Sequence, residues 1–163
     1  KLKGNILIDT CHDFFSQTEA NNMYQFFKPV PKLQNIINEL SSGFNEYTVG
    51  VHIRRTDNEK AIETSTDEGF IKRFKILIDK EPLVNFYLST DDLHSEQLFK
   101  TLFGDYIKTQ EEKLFNRDTS EGIEHALVDM FTLAKTQYIV GSWWSSFNII
   151  ASSLGKKKLE IVK

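Results

Sequence analysis

With one cysteine, Cys11, in 163 residues, the chain can form no internal disulfide, and nothing in it points to an oxidising compartment. There is no apolar run near the roughly 18–20 residues that span a bilayer, and no charged and apolar leader of the secretory kind. Excess positive charge is missing too. At net charge −3 and pI near 5.8 there is no global basic field to hold nucleic acid, so any anion site must be local. No G-x-G-x-x-G or G-x-x-x-x-G-K-[ST] occurs, which removes the main support for a dinucleotide or P-loop reading, an NAD oxidoreductase included. A Ser–His–Asp hydrolase lacks its G-x-S-x-G elbow. No internal repeat or low-complexity tract interrupts the chain.

What is present is ordinary globular composition, 40% hydrophobic and 26% charged, at a length that suits one compact domain. Asn5–Cys11 reads as a short strand, and the aromatics that follow up to Lys28 call for burial on a sheet. The dipeptide His12-Asp13 stands alone and has too few companions for a metal site. Pro31 suits a first helical turn, with Leu33, Ile36, Ile37 and Leu40 at helical spacing and Ser41-Ser42-Gly43 as the stop. Tyr47 to Ile53 is a β-branched strand. Asn58–Thr66 reads as a polar loop, and Asp67 as the cap of a helix carrying Phe70, Ile71, Phe74, Leu77 and Ile78. Then come a strand over Val84–Ser89, a helix from Leu93 to Phe103, a brief strand at Tyr106–Lys108 and a loop over Thr109–Asp118. A helix from Ser120 carries an expected stripe of Ile123, Ala126, Leu127, Met130, Phe131 and Ala134, with Asp129 at its edge. A strand over Tyr138–Gly141, a last helix to Gly155 and a strand over Leu159–Val162 close the chain. Strand and helix in alternation predict an α/β, Rossmann-like three-layer fold with a parallel sheet, as a single domain over residues 1–163.

Three loops then fall at the carboxyl ends of predicted strands, where open α/β sheets bind ligands. The first holds His52, Arg54, Arg55 and Asp57. The second is Ser89-Thr90-Asp91-Asp92. The third runs from Gly141-Ser142 through Ser145, Ser146 and Phe147 into a helix. A Ser-rich strand-to-helix turn offers backbone N–H groups and a positive dipole end to an anion. Arg54 adds a bidentate fork that a lysine would not match. Together they describe a diphosphate site. The Asp91-Asp92 pair also invites a metal reading, against which stands a simple helix cap.

The residues carry a resemblance. VGVHIRRTD resembles the H-x-R-R-x-D motif of the α1,6-fucosyltransferases, whose relatives include nodulation and protein O-fucosyltransferases. Leu88-Ser89-Thr90-Asp91-Asp92 is similar to the second motif of that family, and Asp129 to Phe147 to the third, in the same order. Phe27-Lys28-Pro29 fits the approach to the helix before the first motif. The likeness covers roughly residues 25–155 and suggests a bacterial-type member. It implies the C-terminal, nucleotide-sugar-binding half of a GT-B glycosyltransferase, inverting and metal-independent, with a GDP-sugar such as GDP-fucose as donor substrate and no other cofactor. By position it implies a catalytic set of Arg54, Arg55 and Asp57. It also implies a donor-binding set of His52, Arg54, Asp91, Asp92, Asp129, Ser145, Ser146 and Phe147.

Within those sets Arg54 would bind the β-phosphate, His52 and Asp129 would read the guanine, and residues 145–147 would face the phosphates. Asp57, Asp91 and Asp92 would hold the arginines and loops, with Arg55 as an ion-pair partner. The chain departs from the family where a Lys should follow the motif's Asp and a Glu should lie five residues after it. Asn58 and Ile62 stand there, leaving Glu59 and Glu63 as unassigned candidates for the acceptor base. The chain opens on Lys1 rather than Met and is too short for an N-terminal acceptor domain, so a truncated or fragmentary enzyme is expected. The alternative is a non-catalytic module that binds a nucleotide or phosphorylated sugar. Expected partners are a nucleotide sugar and a glycan acceptor, with no nucleic acid and with homo-oligomerisation open. The expected location is the cytoplasm, with peripheral membrane attachment as the variant.

Overall fold

The computed structural model describes residues 23–24, 26–116 and 118–163. The strand expected at Asn5–Cys11, Cys11 itself and the His12-Asp13 pair lie outside the described residues. Helix α1 spans Pro31–Ser41, with Pro31 in its first turn, and is followed by strand β1, Thr48–Ile53. Helices α2 (Glu59–Thr64) and α3 (Asp67–Lys80) lead to β2 (Asn85–Thr90). Helix α4 (Leu93–Phe103) runs through a single 3₁₀ turn into the two-residue β3, Ile107–Lys108. Then α5 (Ser120–Leu133), β4 (Tyr138–Ser142), α6 (Ser146–Gly155) and β5 (Leu159–Val162) complete the described chain.

The five strands form one sheet in the order β3-β2-β1-β4-β5, and every pairing is parallel. β1 is therefore central, and all six of its residues are buried. Because side chains alternate across a strand, β1 serves two layers at once. Val49, Val51 and Ile53 pack with Phe70, Phe74 and Leu77 of α3 and Phe99 and Phe103 of α4. The opposite face gathers Tyr87, Leu133, Ile139 and Ala151 beneath α5 and α6, and α1 adds Leu33 and Ile37 against Val128 of α5. The three-layer α/β arrangement is as the element order predicts.

Gly50 sits on the α5 side, where a Cβ would lie 2.6 Å from the Thr136 Oγ1 and 3.0 Å from Leu133. Absence of a side chain there lets the end of α5 lie directly on the central strand.

The structure corrects three local expectations. Residues 59–64 are helical, not loop: Asn58 accepts a hydrogen bond from the Ala61 N–H, and Ala61 is buried. One and a half turns are too short to display a 3.6-residue period. The cap of α3 is Thr66, whose hydroxyl accepts from the Gly69 N–H, which frees Asp67 for another partner. Finally, α5 buries Val128, Asp129, Thr132 and Leu133, while Ile123 is exposed. The helix is apolar on two sides because α1 covers one and the sheet the other, so its stripe is ambiguous from spacing alone.

Candidate functional site

Three strands bring the three polar loops to one edge. The registers pair His52 of β1 with Ser89 of β2 and with Gly141 of β4, and Ile53 with Thr90. His52, Tyr87 and Ser89 thereby share the α5 face, from which Asp129 meets Tyr87 and Ser89 directly.

His52 is buried and stacks on Phe147 of α6, with ring centroids 4.5 Å apart and planes within 18°. The stack lies between β1 and β4, the point at which successive strands pass to the other side of β1. Such switch points leave a crevice at the carboxyl edge of the sheet. A cavity of about 30 Å³ opens there, lined by His52, Arg54, Asp91, Lys113, Asp129 and Phe147 among others. That is room for about one water molecule.

Arg54 follows β1 directly. Its backbone N–H donates to the Ser142 Oγ at 3.0 Å, which ties the β1 and β4 ends together. Its guanidinium is held by two carboxylates of different character. Asp91, with a side chain only 8% exposed, receives Nη1 at 3.1 Å, whereas Asp57, which also pairs with Nη2, is 62% exposed. Asp91 accepts further bonds from the Arg55 N–H at 2.8 Å and the Thr56 hydroxyl at 2.7 Å. Burial pushes the Asp91 carboxyl up, but those two donors together with the Arg54 and His52 charges outweigh it and hold the pKa below the usual aspartate value. An anchored, ionised Asp91 thus fixes Arg54 from below while Asp57 covers it from the solvent side.

Arg55 is not brought to the cleft. Its guanidinium turns to Asp67, with Nη2 at 2.6 Å and Nε at 3.0 Å from the same oxygen, and lies over the Phe70 ring. The reason is the alternation of the chain past β1, which sends residue 55 toward α3 when residue 54 faces the crevice. Arg55, expected among the catalytic candidates, is thus an ion-pair partner of Asp67 and does not line the cavity. Asp92 likewise is the N-cap of α4, with Oδ2 accepting from the Ser95 N–H at 2.7 Å and the Ser95 hydroxyl at 2.8 Å. Among the described residues no cluster of three His, Cys, Asp or Glu side chains could hold a metal ion.

Asp129 is buried to 1% and has three donors around its carboxylate. The Tyr87 hydroxyl gives 2.6 Å to Oδ1, and Ser89 Oγ gives 2.9 Å and Lys113 Nζ 2.5 Å to Oδ2. Burial first, and the Asp129 charge second, push the Tyr87 pKa well above its usual value, so Tyr87 stays a donor. Lys113 also reaches the Thr90 carbonyl and lies 5.1 Å from the Phe115 ring centre. No sequence pattern marks it, since it sits in the irregular stretch before α5. Asp129, a carboxylate on an apolar helix, is the signal that a cation must be near.

The β4–α6 turn is rigidly held. The Asn148 amide donates to the Ser142 carbonyl at 2.7 Å, in space that Gly141 leaves because it has no Cβ. The Trp143 N–H donates to Ser65 Oγ, and Asn58 reaches the Trp144 carbonyl at 2.8 Å. Trp144 adopts a left-handed φ of 49° and presents its ring to solvent, with Lys60 4.2 Å above it. Ser145 occupies the N-cap position of α6 without a side-chain capping bond, and Ser146 is exposed at the first turn. Neither serine lines the cavity, although both stand at the helix end next to Phe147. Glu59 and Glu63 are exposed on α2 and do not line it either.

Comparison with solved structures bears on the fold. POFUT1 in complex with GDP superposes with a TM-score of 0.63 at 9% identity, over 88% of this chain and 50% of that one. The chain shares its fold with fucosyltransferases. NodZ α-1,6-fucosyltransferase soaked with GDP-fucose gives 0.60 at 21% identity, over 86% and 47%. A mutant of Arabidopsis thaliana FUT1 in complex with GDP gives 0.54 at 17%, over 83% and 34%. The chain spans about half, or less, of the length of those proteins. No protein-family model and no curated protein sequence matches it.

Proposed function

We propose that this chain is the nucleotide-sugar-binding domain of a fucosyltransferase-like glycosyltransferase of bacterial type, built as half of a GT-B enzyme. It binds a GDP-sugar, with GDP-fucose the leading candidate, for inverting and metal-independent transfer to a glycan acceptor. The observation that carries this reading is Arg54, set at the carboxyl end of the central strand and held by one buried and one exposed carboxylate. A diphosphate arriving from solvent replaces Asp57 and leaves the Asp91 anchor intact. Arg54 then neutralises the charge that grows on the β-phosphate as the sugar–oxygen bond breaks, the part that a metal ion plays elsewhere. The N–H groups at the start of α6, with Ser145 and Ser146, serve the phosphates, and the His52–Phe147 stack flanks the base. Arg55, Asp91 and Asp92 act by holding these parts in place.

Fucosyltransferases with this fold have been solved with GDP or GDP-fucose, which supports the choice of donor. Titration calorimetry with GDP, UDP, ADP and inorganic phosphate tests the reading, and GDP is expected to bind best. Arg54→Ala is expected to lose tenfold or more in GDP affinity while keeping a cooperative melt, since a charged bidentate contact is worth about 1.5–3 kcal/mol. Unchanged affinity in that variant would refute the central role of Arg54.

A second reading is a binding module without transferase activity of its own, favoured by the position of Glu59 and Glu63, the candidate acceptor bases, neither of which lines the cavity. Release of GDP from GDP-fucose in the presence of acceptor glycans, by this chain alone, separates the two. The single cysteine is the ground for proposing the cytoplasm as its place of action.

A further inference from the structure

Asp129 is the group expected to read the base, yet its carboxylate is not a lone acceptor. The Lys113 ammonium lies against Oδ2 at 2.5 Å, the side chains being 7% and 1% exposed. Both residues line the same cavity. Lys113 is fixed a second time by the Thr90 carbonyl at 2.5 Å, at the end of β2. Oδ1 accepts from Tyr87, and a carboxylate oxygen has room for a second donor. The cavity wall therefore carries, side by side, a cationic N–H donor and a carboxylate oxygen.

We propose that Lys113 and Asp129 act as one donor–acceptor pair that selects keto bases, and that Lys113 is a specificity-determining residue of the nucleotide site. The inference rests on the nucleotide-sugar reading above and deepens it. A guanine edge presents an oxo acceptor at O6 beside the N1–H donor, and uracil repeats this order with O4 and N3–H. Adenine reverses it, with an amino donor at N6 beside the N1 acceptor, and cytosine does likewise. The ammonium of Lys113 meets O6 while Asp129 accepts from N1–H. Against adenine the same pair sets ammonium on amino group and carboxylate on lone pair, which leaves buried groups unmatched.

The water-sized cavity must widen for a base. Leu114, half exposed, and Phe115 line it beside Lys113, which is tied to two buried acceptors. In this respect the aspartate alone is an incomplete description of the site. An isolated carboxylate reads donors only; the pair reads a pattern.

The test is direct binding of GDP, IDP, UDP, ADP and CDP to this chain. IDP keeps O6 and N1–H but lacks the exocyclic amine, so it is expected within a few-fold of GDP. ADP and CDP are expected to bind about tenfold or more weaker than GDP and UDP respectively. K113M is expected to collapse the GDP-to-ADP ratio, while K113R retains most of it. IDP binding like ADP overturns the proposal on the wild-type chain alone, whether or not K113M folds. An unchanged ratio in a folded K113M overturns it as well. Equal binding of all five diphosphates rejects base selection and leaves the diphosphate site standing. No binding of any of them rejects the nucleotide reading itself, and this proposal with it.

Discussion

Replacing Asp91 by asparagine is the most informative single perturbation of the site. Asp91 accepts from the Arg55 N–H at 2.8 Å, the Thr56 hydroxyl at 2.7 Å and the Arg54 guanidinium at 3.1 Å, with its side chain 8% exposed. Asparagine keeps one carbonyl oxygen, able to serve two of these donors, and turns an NH₂ toward the third. Hydrogen bonds to a charged partner contribute about 1.5–3 kcal/mol and neutral ones about 0.5–1.5, so two are weakened by about 1 kcal/mol each and one is lost. Thr56 is exposed and its share is discounted accordingly. The expected loss is about 2–4 kcal/mol, or roughly 5–15 °C in melting temperature for a chain of this size.

The dependence on pH follows from the depressed pKa of Asp91. A carboxyl held below its unfolded value of about 3.9 contributes fully above that value and loses its contribution as pH falls through the folded one. The gap between wild type and Asp91→Asn should therefore be constant near neutrality and narrow only below about pH 4. Urea melts at several pH values measure both. A loss under about 0.5 kcal/mol at pH 7, or a gap that widens in acid, would refute the anchoring argument.

Other expectations concern residues that hold the site without entering it. Arg55→Met should lower stability by about 1–3 kcal/mol, because it leaves Asp67 unpaired, yet change GDP affinity less than about threefold in calorimetry. A large change in affinity with normal stability would put Arg55 back among the ligand contacts. Gly50→Ala should cost about 1–3 kcal/mol in chemical denaturation, since its Cβ would meet the Thr136 Oγ1, itself bonded to the Leu133 and Tyr138 carbonyls. A neutral result would show that α5 can shift freely on β1. Tyr87→Phe removes one of three donors from the buried Asp129 and should destabilise by about 1–3 kcal/mol; a melt unchanged from wild type would show that Asp129 does not need it.

Sequence and structure agree most closely where the physics is local. The β-branched run at Thr48–Ile53, the proline at the start of α1 and the glycine after α4 each mark an element or its end by its own chemistry. The convergence of the His52, Asp91 and Ser145–Phe147 loops was legible too, since parallel strands bring their carboxyl ends to one edge. Division of labour between Arg54 and Arg55 depends on strand parity carried one residue past β1, and the partner of Arg55 could be expected only as some acid. Asp67, read as a cap, turned out to be that acid. Lys113 was hidden because burial of a lysine is a tertiary event: the loop that holds it shows no period, and its partner lies 16 residues on. The expected face of α5 failed for a related reason, as two layers claim one helix.

The hydrogen bond from the Arg54 N–H to Ser142 joins residues 88 positions apart, and the one from Arg55 to Asp91 joins residues 36 apart. Closing the longer loop costs only about 0.8 kcal/mol more in chain entropy, so the difference matters little once the protein is folded. It matters for the order of events. The β1–β2 edge can form from the first half of the described chain, but the His52–Phe147 stack and the Ser142 contact wait until β4 and α6 have docked. A chain released or cleaved before residue 142 would carry both arginines and all three of their acids, Asp57, Asp67 and Asp91, and still have no cleft. The carboxyl edge of the sheet is in this sense complete only when distant parts of the chain have met, and any rescue of a slow-folding variant should be sought in how quickly β4 finds β1.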